Sequence, residues 1–296
     1  AEAAVLFASG YGANVGLVTA LADPRQDTVI CDEYSHASFV DGLKMAGMRP
    51  VTFRHNDVEA LAAALAALSA AGSGDTFVGV EGVYSMDGDL APLDRIAPLC
   101  RRHGALLVLD DAHGTGVLGA GGSGTASHFG VEGQVDLTMG TFSKAFGVAG
   151  GFVSASRPLA EYLRFFARSY MFSASLPPVV VAAVLAGLDV LEREPERIAR
   201  LHENVRYAAA ALERIGLPVR PAAAILTLRA PRALDVRRAA ARFHEAGIFL
   251  NSVEYPAVPR DEQRLRISLM ATHTQGDIDR LVECVEEIWT DCGAIP

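Results

Sequence analysis

The sequence predicts an α/β fold, with a mostly parallel central sheet flanked by helices and a smaller C-terminal α+β domain. Three observations carry that expectation. Short β-branched or apolar runs alternate with helical patterns up to about residue 176. These runs lack the in-out alternation of a half-exposed strand, as expected of strands covered on both faces. Past that point the alternation gives way to two long helical stretches and weaker strands.

In order, strands are expected at 28–31, 76–81, 105–110 and 135–140, with helices at 13–22, 38–46, 58–71 and 93–103. The Ala-rich run across 60–71 is helix-forming composition rather than low complexity. Further helices are expected at 179–193, 196–215, 236–246 and 275–289, with strands at 224–228 and near 248–251 and 265–269. This organisation implies a large domain over 1–190 and a small one over 191–296.

Composition narrows the function classes. The 296 residues are 50% hydrophobic and 21% charged, ordinary values for a globular enzyme. A formal net charge of -9 argues against nucleic acid or an anionic membrane as the main partner. It leaves room for a local phosphate site. Cys31, Cys100, Cys284 and Cys292 form no CxxC pair, which fits a reducing cytoplasm. No apolar run reaches membrane-span length, and no basic-then-apolar leader opens the chain. The start at Ala1 rather than methionine suggests one piece of a larger protein.

Polar residues gather where an open parallel sheet binds ligands, beyond the carboxyl ends of its strands. Glu81 and Ser85 follow one expected strand, Asp110 and His113 end the next, and Thr141, Ser143 and Lys144 follow the one after. Asp110 closes an apolar tetrad, so its carboxylate calls for a cationic partner. A pyridinium at about 4 Å would supply roughly 4 kcal/mol at an effective dielectric of about 20. That would keep the ring of pyridoxal phosphate protonated, with Lys144 available to hold its aldehyde carbon as an imine. A lysine in that setting should lose hydration, which favours the reactive free amine. Asp110, Asp111 and His113 could instead bind a divalent ion, or the aspartate could cap a helix. Lys144 could be an ordinary turn lysine, although the only other lysine is Lys44.

Weaker signals surround this pair. Ser9, Gly10 and Tyr11 precede a strong helix, whose N-terminal N–H groups could hold a phosphate. His36 could lie over an aromatic ring, or be structural. The run 119–124 matches GxGxxG, but Thr125-Ala126-Ser127-His128 after it is not a convincing helix start, so a glycine-rich loop is expected. No GxSxG elbow or Walker phosphate loop occurs.

Six blocks in order now resemble a known family. They are Ser9-Gly10-Tyr11, Ser35-His36-Ala37-Ser38, the stretch from Glu81 to Asp89 containing Ser85-Met86-Asp87-Gly88, Asp110-Asp111-Ala112-His113-Gly114-Thr115-Gly116, Gly140-Thr141-Phe142-Ser143-Lys144, and Ser175-Leu176-Pro177-Pro178. Together they resemble the α-oxoamine synthases, fold-type I pyridoxal phosphate-dependent transferases. That family includes 8-amino-7-oxononanoate synthase, 2-amino-3-ketobutyrate CoA ligase, 5-aminolevulinate synthase and serine palmitoyltransferase. The resemblance extends through Arg266.

The resemblance implies a role for each matching position. Lys144 would be the Schiff-base lysine and the acid/base at the substrate α-carbon, and Asp110 would pair with the pyridine nitrogen. His36 would stack on the ring, with His113 and Ser85 near its hydroxyl. Thr141, Ser143, Ser9 and the Gly10-Tyr11 backbone would hold the phosphate, joined by Ser173 of a second copy in a homodimer. Arg266 would grip the amino-acid carboxylate, and Glu81 would act from behind the site. The implied reaction joins an amino acid to an acyl thioester, on CoA or a carrier protein, with loss of CO2. Alanine is favoured slightly over serine and glycine. The family's usual N-terminal segment, roughly ninety residues, has no counterpart here. Alternatives are serine palmitoyltransferase-like use of serine, a fold-type I aminotransferase or lyase, and a non-catalytic partner subunit.

Overall fold

The computed structural model describes residues 1–71 and 74–295; Pro296, the last residue of the expected small domain, lies outside them. The chain divides into two compact units, Ala1–Tyr84 with Leu90–Glu194, and Ser85–Asp89 with the chain from Pro195 onward.

The first unit begins β1 (Ala3–Phe7), α1 (Gly10–Leu21), β2 (Thr28–Asp32), α2 (Ala37–Met45), β3 (Val51–Phe53) and α3 (Val58–Ala71). It continues with β4 (Thr76–Glu81), α4 (Leu93–Arg102), β5 (Leu106–Asp110), α5 (Thr125–His128), β6 (Leu137–Thr141) and β7 (Gly151–Ala155). Helices α6 (Arg157–Phe166), α7 (Arg168–Met171) and α8 (Pro178–Arg193) complete it. The sheet order is β1-β7-β6-β5-β4-β2-β3. Strand β7 runs against both neighbours, and the other pairings are parallel. The short β6–β7 connection explains the exception, because adjacent parallel strands need a long crossover.

Strand β5 shows why its sequence is an unbroken apolar run. Val108 joins the core formed with Leu17, Phe39 and Leu163, on the side of α1, α2 and α6. Its neighbours Leu107 and Leu109 join the opposite core, with Leu61, Leu65 and Ile96 of α3 and α4. Burial on both faces removes the period of two that would mark a one-sided strand.

The second unit holds α9 (Glu196–Arg214), β8 (Ile225–Arg229), α10 (Val236–Glu245), β9 (Asn251–Val253), β10 (Arg264–Ser268) and α11 (Gln275–Asp291). Its antiparallel sheet has the order β8-β10-β9. Strand β9 begins later than expected. The Gly247 N–H donates to the His244 carbonyl and the Ile248 N–H to Phe243, which closes α10 with Gly247 at φ 76°. Ile248 therefore belongs to the helix cap rather than to the strand. In the first unit β1, β3, β7, α6 and α7 were not expected, and residues 125–128 form a short helix after all.

Candidate active site

Register places the ends of three parallel strands side by side. Glu81 pairs with Asp110 across β4 and β5, and Asp110 with Met139 across β5 and β6. Thr141 closes β6 two residues further on. Glu81, Asp110 and Thr141 are all buried. His113 lies in the turn after β5 and is half-buried, while Ser143 and Lys144 are exposed on the turn after β6. A desolvated Lys144 is thus not what the structure shows, because the turn carries its side chain past the strand end.

The N-terminus of α1 sits against this turn. A Cβ added to Gly10 would lie 3.0 Å from the Thr141 Cβ and 3.1 Å from its Oγ1. One added to Gly151 would lie 2.8 Å from the Gly10 backbone. Only glycines allow so close an approach. Ser9 caps the helix by accepting the Gly12 N–H at 3.0 Å, and the Tyr11 hydroxyl donates to Asp41 at 2.9 Å. Tyr11 can therefore offer an anion its backbone N–H but not its phenol. The Thr141 and Ser143 hydroxyls are 2.9 Å apart beside the same helix end. Thr141 Oγ1 donates to the Gly150 carbonyl at 3.0 Å, so backbone N–H groups, a positive dipole end and the Ser143 hydroxyl that Thr141 positions make a cradle for a phosphate.

Each oxygen of Asp110 accepts one N–H. Asn14 Nδ2 donates to Oδ2 at 2.7 Å, and the Ala112 N–H to Oδ1 at 3.1 Å. His36 is the N-cap of α2 and is exposed, and its Nδ1 accepts the Ser38 N–H at 3.2 Å. Ser38 Oγ lies 2.7 Å from that nitrogen and accepts from Asn14 at 2.8 Å. Sequence reasoning gave Asn14 and Ser38 no role. The available signal was a polar residue four places into an otherwise apolar helix.

Two other aspartates are structural. Asp111 is buried and accepts from the Thr125 N–H at 3.0 Å and from Thr125 Oγ1 at 2.5 Å. A Cβ at Gly82, Gly114 or Gly124 would come within 2.3 Å of its carboxylate. Burial pushes its carboxyl up to about 7, against the two Thr125 bonds. Asp32 ends β2 and accepts from His55 Nδ1 at 3.0 Å and from the Tyr34 and Asn56 N–H groups. Burial opposes its ionisation, but these donors outweigh it and hold the carboxyl below its ordinary value.

Ser85 and Arg266 belong to the second unit. Arg266 lies on β10, opposite Thr227 of β8 and Asn251 of β9. Its Nε is buried and has no hydrogen-bond partner among the described residues, and burial lowers its pKa. An orphaned guanidinium N–H is costly and fits an anionic ligand. Ser173 is exposed after α7, near exposed Phe172.

These residues fit pyridoxal phosphate: an acceptor carboxylate for a protonated ring nitrogen, a phosphate cradle that a Cβ at Gly10 would fill, and an accessible amine. Comparison with known proteins agrees. The family model for aminotransferase class I and II matches residues 1–285. An 8-amino-7-oxononanoate synthase of Lysinibacillus sphaericus is 37% identical over 295 residues, covering 99% of this chain and 75% of that protein. One from Anaeromyxobacter dehalogenans is 42% identical over 288 residues, covering 97% of this chain and 72% of the relative. A serine palmitoyltransferase of Sphingomonas wittichii superposes with a TM-score of 0.92 at 36% identity, covering 100% of this chain and 74% of its own. A solved serine palmitoyltransferase carrying the PLP internal aldimine gives 0.91 at 35%, covering 99% and 74%. With sequence, fold and site in agreement, the chain belongs to the α-oxoamine synthases, pyridoxal phosphate-dependent fold-type I acyltransferases that condense an amino acid with an acyl thioester with loss of CO2.

Proposed function

We propose that this chain uses alanine as the amino acid and an acyl thioester of CoA or a carrier protein as the acyl donor. The carrying observation is that relatives at 37% and 42% identity are named 8-amino-7-oxononanoate synthases. Serine is the second reading, favoured by the serine palmitoyltransferases among the solved structures. Pyridoxal phosphate supplies an electron sink that makes the amino-acid α-proton removable.

The chain's own residues divide the remaining work. Lys144 Nζ would hold the cofactor and would carry the α-proton of the amino acid. Asp110 would keep the ring nitrogen protonated, and His36 would help to hold the ring. His113 and Ser85 serve the ring hydroxyl. Ser9, the Gly10-Tyr11 backbone, Thr141 and Ser143 hold the phosphate, with Ser173 supplied by a second copy. Arg266 binds the carboxylate that leaves as CO2, and Glu81 supports the substrate site from the end of β4, beside Asp110. Exposed Phe165, Phe166 and Phe172 support a homodimer, since large apolar patches usually mark interfaces. Among the described residues no helix is long and apolar enough to cross a membrane, and we place the protein in the cytoplasm. The test is a screen of carboxyl-labelled amino acids for thioester-dependent release of labelled CO2. Alanine is expected to give the fastest release, and a preference for serine or glycine would exclude the alanine assignment.

A further inference from the structure

We propose that Asn14 and Ser38 form a one-way hydrogen-bond relay joining Asp110 to His36, orienting the first as an acceptor and keeping Nδ1 of the second an acceptor, so that the ring proton of His36 lies on Nε2. They are positioning residues for the cofactor ring, an inference that rests on assigning Asp110 and His36 to that ring.

Chemistry fixes the direction of every bond. Asn14 Nδ2 has two hydrogens and two acceptors, Asp110 Oδ2 at 2.7 Å and Ser38 Oγ at 2.8 Å. A flipped amide would set its oxygen against a carboxylate, acceptor facing acceptor, so the amide has one allowed orientation. In that orientation Asn14 Oδ1 is buried without a hydrogen-bond partner. The amide is thus arranged for its donors and not for its own oxygen. Ser38 Oγ, having accepted from Asn14, has one hydrogen to give, and His36 Nδ1 lies 2.7 Å away. The Ser38 N–H reaches the same nitrogen at 3.2 Å. The backbone N–H can only donate, so a nitrogen that accepts it carries no proton, which turns the Ser38 hydroxyl towards Nδ1 and leaves the imidazole proton on Nε2.

The same logic acts on Asp110. Its two oxygens face the Asn14 and Ala112 N–H groups, neither of which can accept a proton. Both oxygens therefore stand as acceptors towards fixed donors, which sets the plane of the carboxylate. Asn14 and Ser38 are almost wholly buried, which keeps water from substituting for either bond. A carboxylate held this way retains acceptor capacity for a protonated ring nitrogen, and an imidazole held this way keeps its orientation.

The test uses the cofactor-loaded protein and two spectroscopic readouts: nitrogen chemical shifts of the His36 ring, and the pH midpoint of the cofactor's visible band. In the wild type His36 is expected to carry its proton on Nε2; a proton on Nδ1 would overturn the relay without any variant. Asn14→Leu is expected to raise the band's midpoint by about one pH unit, the tenfold equivalent of one charge-assisted hydrogen bond, because an Asp110 that has lost its Asn14 donor draws the ring proton more strongly. It should also mix the His36 tautomers. Ser38→Ala should perturb only the His36 signals. A melting-temperature loss in Asn14→Leu with both spectra unchanged would reduce Asn14 to a packing role and refute the proposal. Asp110→Asn separates the two levels. If it moves the midpoint while Asn14→Leu does not, the relay alone fails. If Asp110→Asn moves nothing, the assignment of Asp110 to the ring fails and the relay with it.

Discussion

Thr125→Val deletes one hydroxyl at nearly constant volume, and its effect on stability should depend on pH. Thr125 Oγ1 donates at 2.5 Å to Asp111, whose carboxylate is buried among Gly82, Gly114 and Gly124. Burial raises this carboxyl to about 7, from an unfolded value near 4. The folded protein therefore binds this proton more tightly than the unfolded chain does. The contribution of Asp111 is fully present below about pH 4 and is lost as pH rises through about 7. Above that pH the ionised group needs the Thr125 donor most. Losing a hydrogen bond to a charged acceptor costs about 1.5–3 kcal/mol, against about 1 kcal/mol for a neutral pair. Thr125→Val should then lose about 2 kcal/mol at pH 8 and about 1 kcal/mol at pH 5. With a urea slope of about 3 kcal/mol/M, the unfolding midpoint falls by about 0.7 M at pH 8 and about half that at pH 5. Urea titration of the cofactor-loaded protein at both pH values reads this directly. Equal losses at pH 5 and pH 8, or a larger loss at pH 5, would refute the account of Asp111.

Three further variants probe the site and its surroundings. Gly10→Ala forces a methyl to 3.0 Å from the Thr141 Cβ; at an overpacking cost of about 1–3 kcal/mol, cofactor affinity measured by equilibrium dialysis should fall about tenfold or more, and unchanged affinity would remove the helix end from the phosphate site. Arg266→Lys replaces a planar fork by a point charge, and steady-state kinetics should show KM for the amino acid rising about 10–100-fold; no change would dissociate Arg266 from the carboxylate. Combined Phe165→Ser and Phe172→Ser changes should shift sedimentation towards the monomer, and an unchanged species distribution would leave those rings without the proposed interface role.

The sheet and the strand-end residues were legible because local pattern determines them. An apolar run ending in Asp110 reads as a buried strand, and β5 is one. Strand β3 has only three residues and β7 begins at a glycine, so neither offers enough period to read. The contacts that finish the site are non-local: Asn14 reaches Asp110 across 96 positions and Ser38 across 24. No window of sequence contains both ends of such a pair. Asp111, one of three residues open to a metal reading, is instead enclosed by Thr125 and three glycines, a cage that exists only after the 114–124 loop folds back. Lys144 was expected to be desolvated because apolar residues surround it in sequence, yet a turn at a strand end exposes side chains that its neighbours in sequence do not cover.

Locking the cofactor to its lysine by borohydride reduction, followed by peptide mass mapping, tests the central assignment most directly. The chain offers two lysines. Lys44 lies on α2 in an exposed pair with Asp41 at 3.2 Å, and Lys144 lies beyond β6. The pyridoxyl group is predicted on Lys144 alone. A label on Lys44, or none after reduction of the yellow protein, would contradict that assignment.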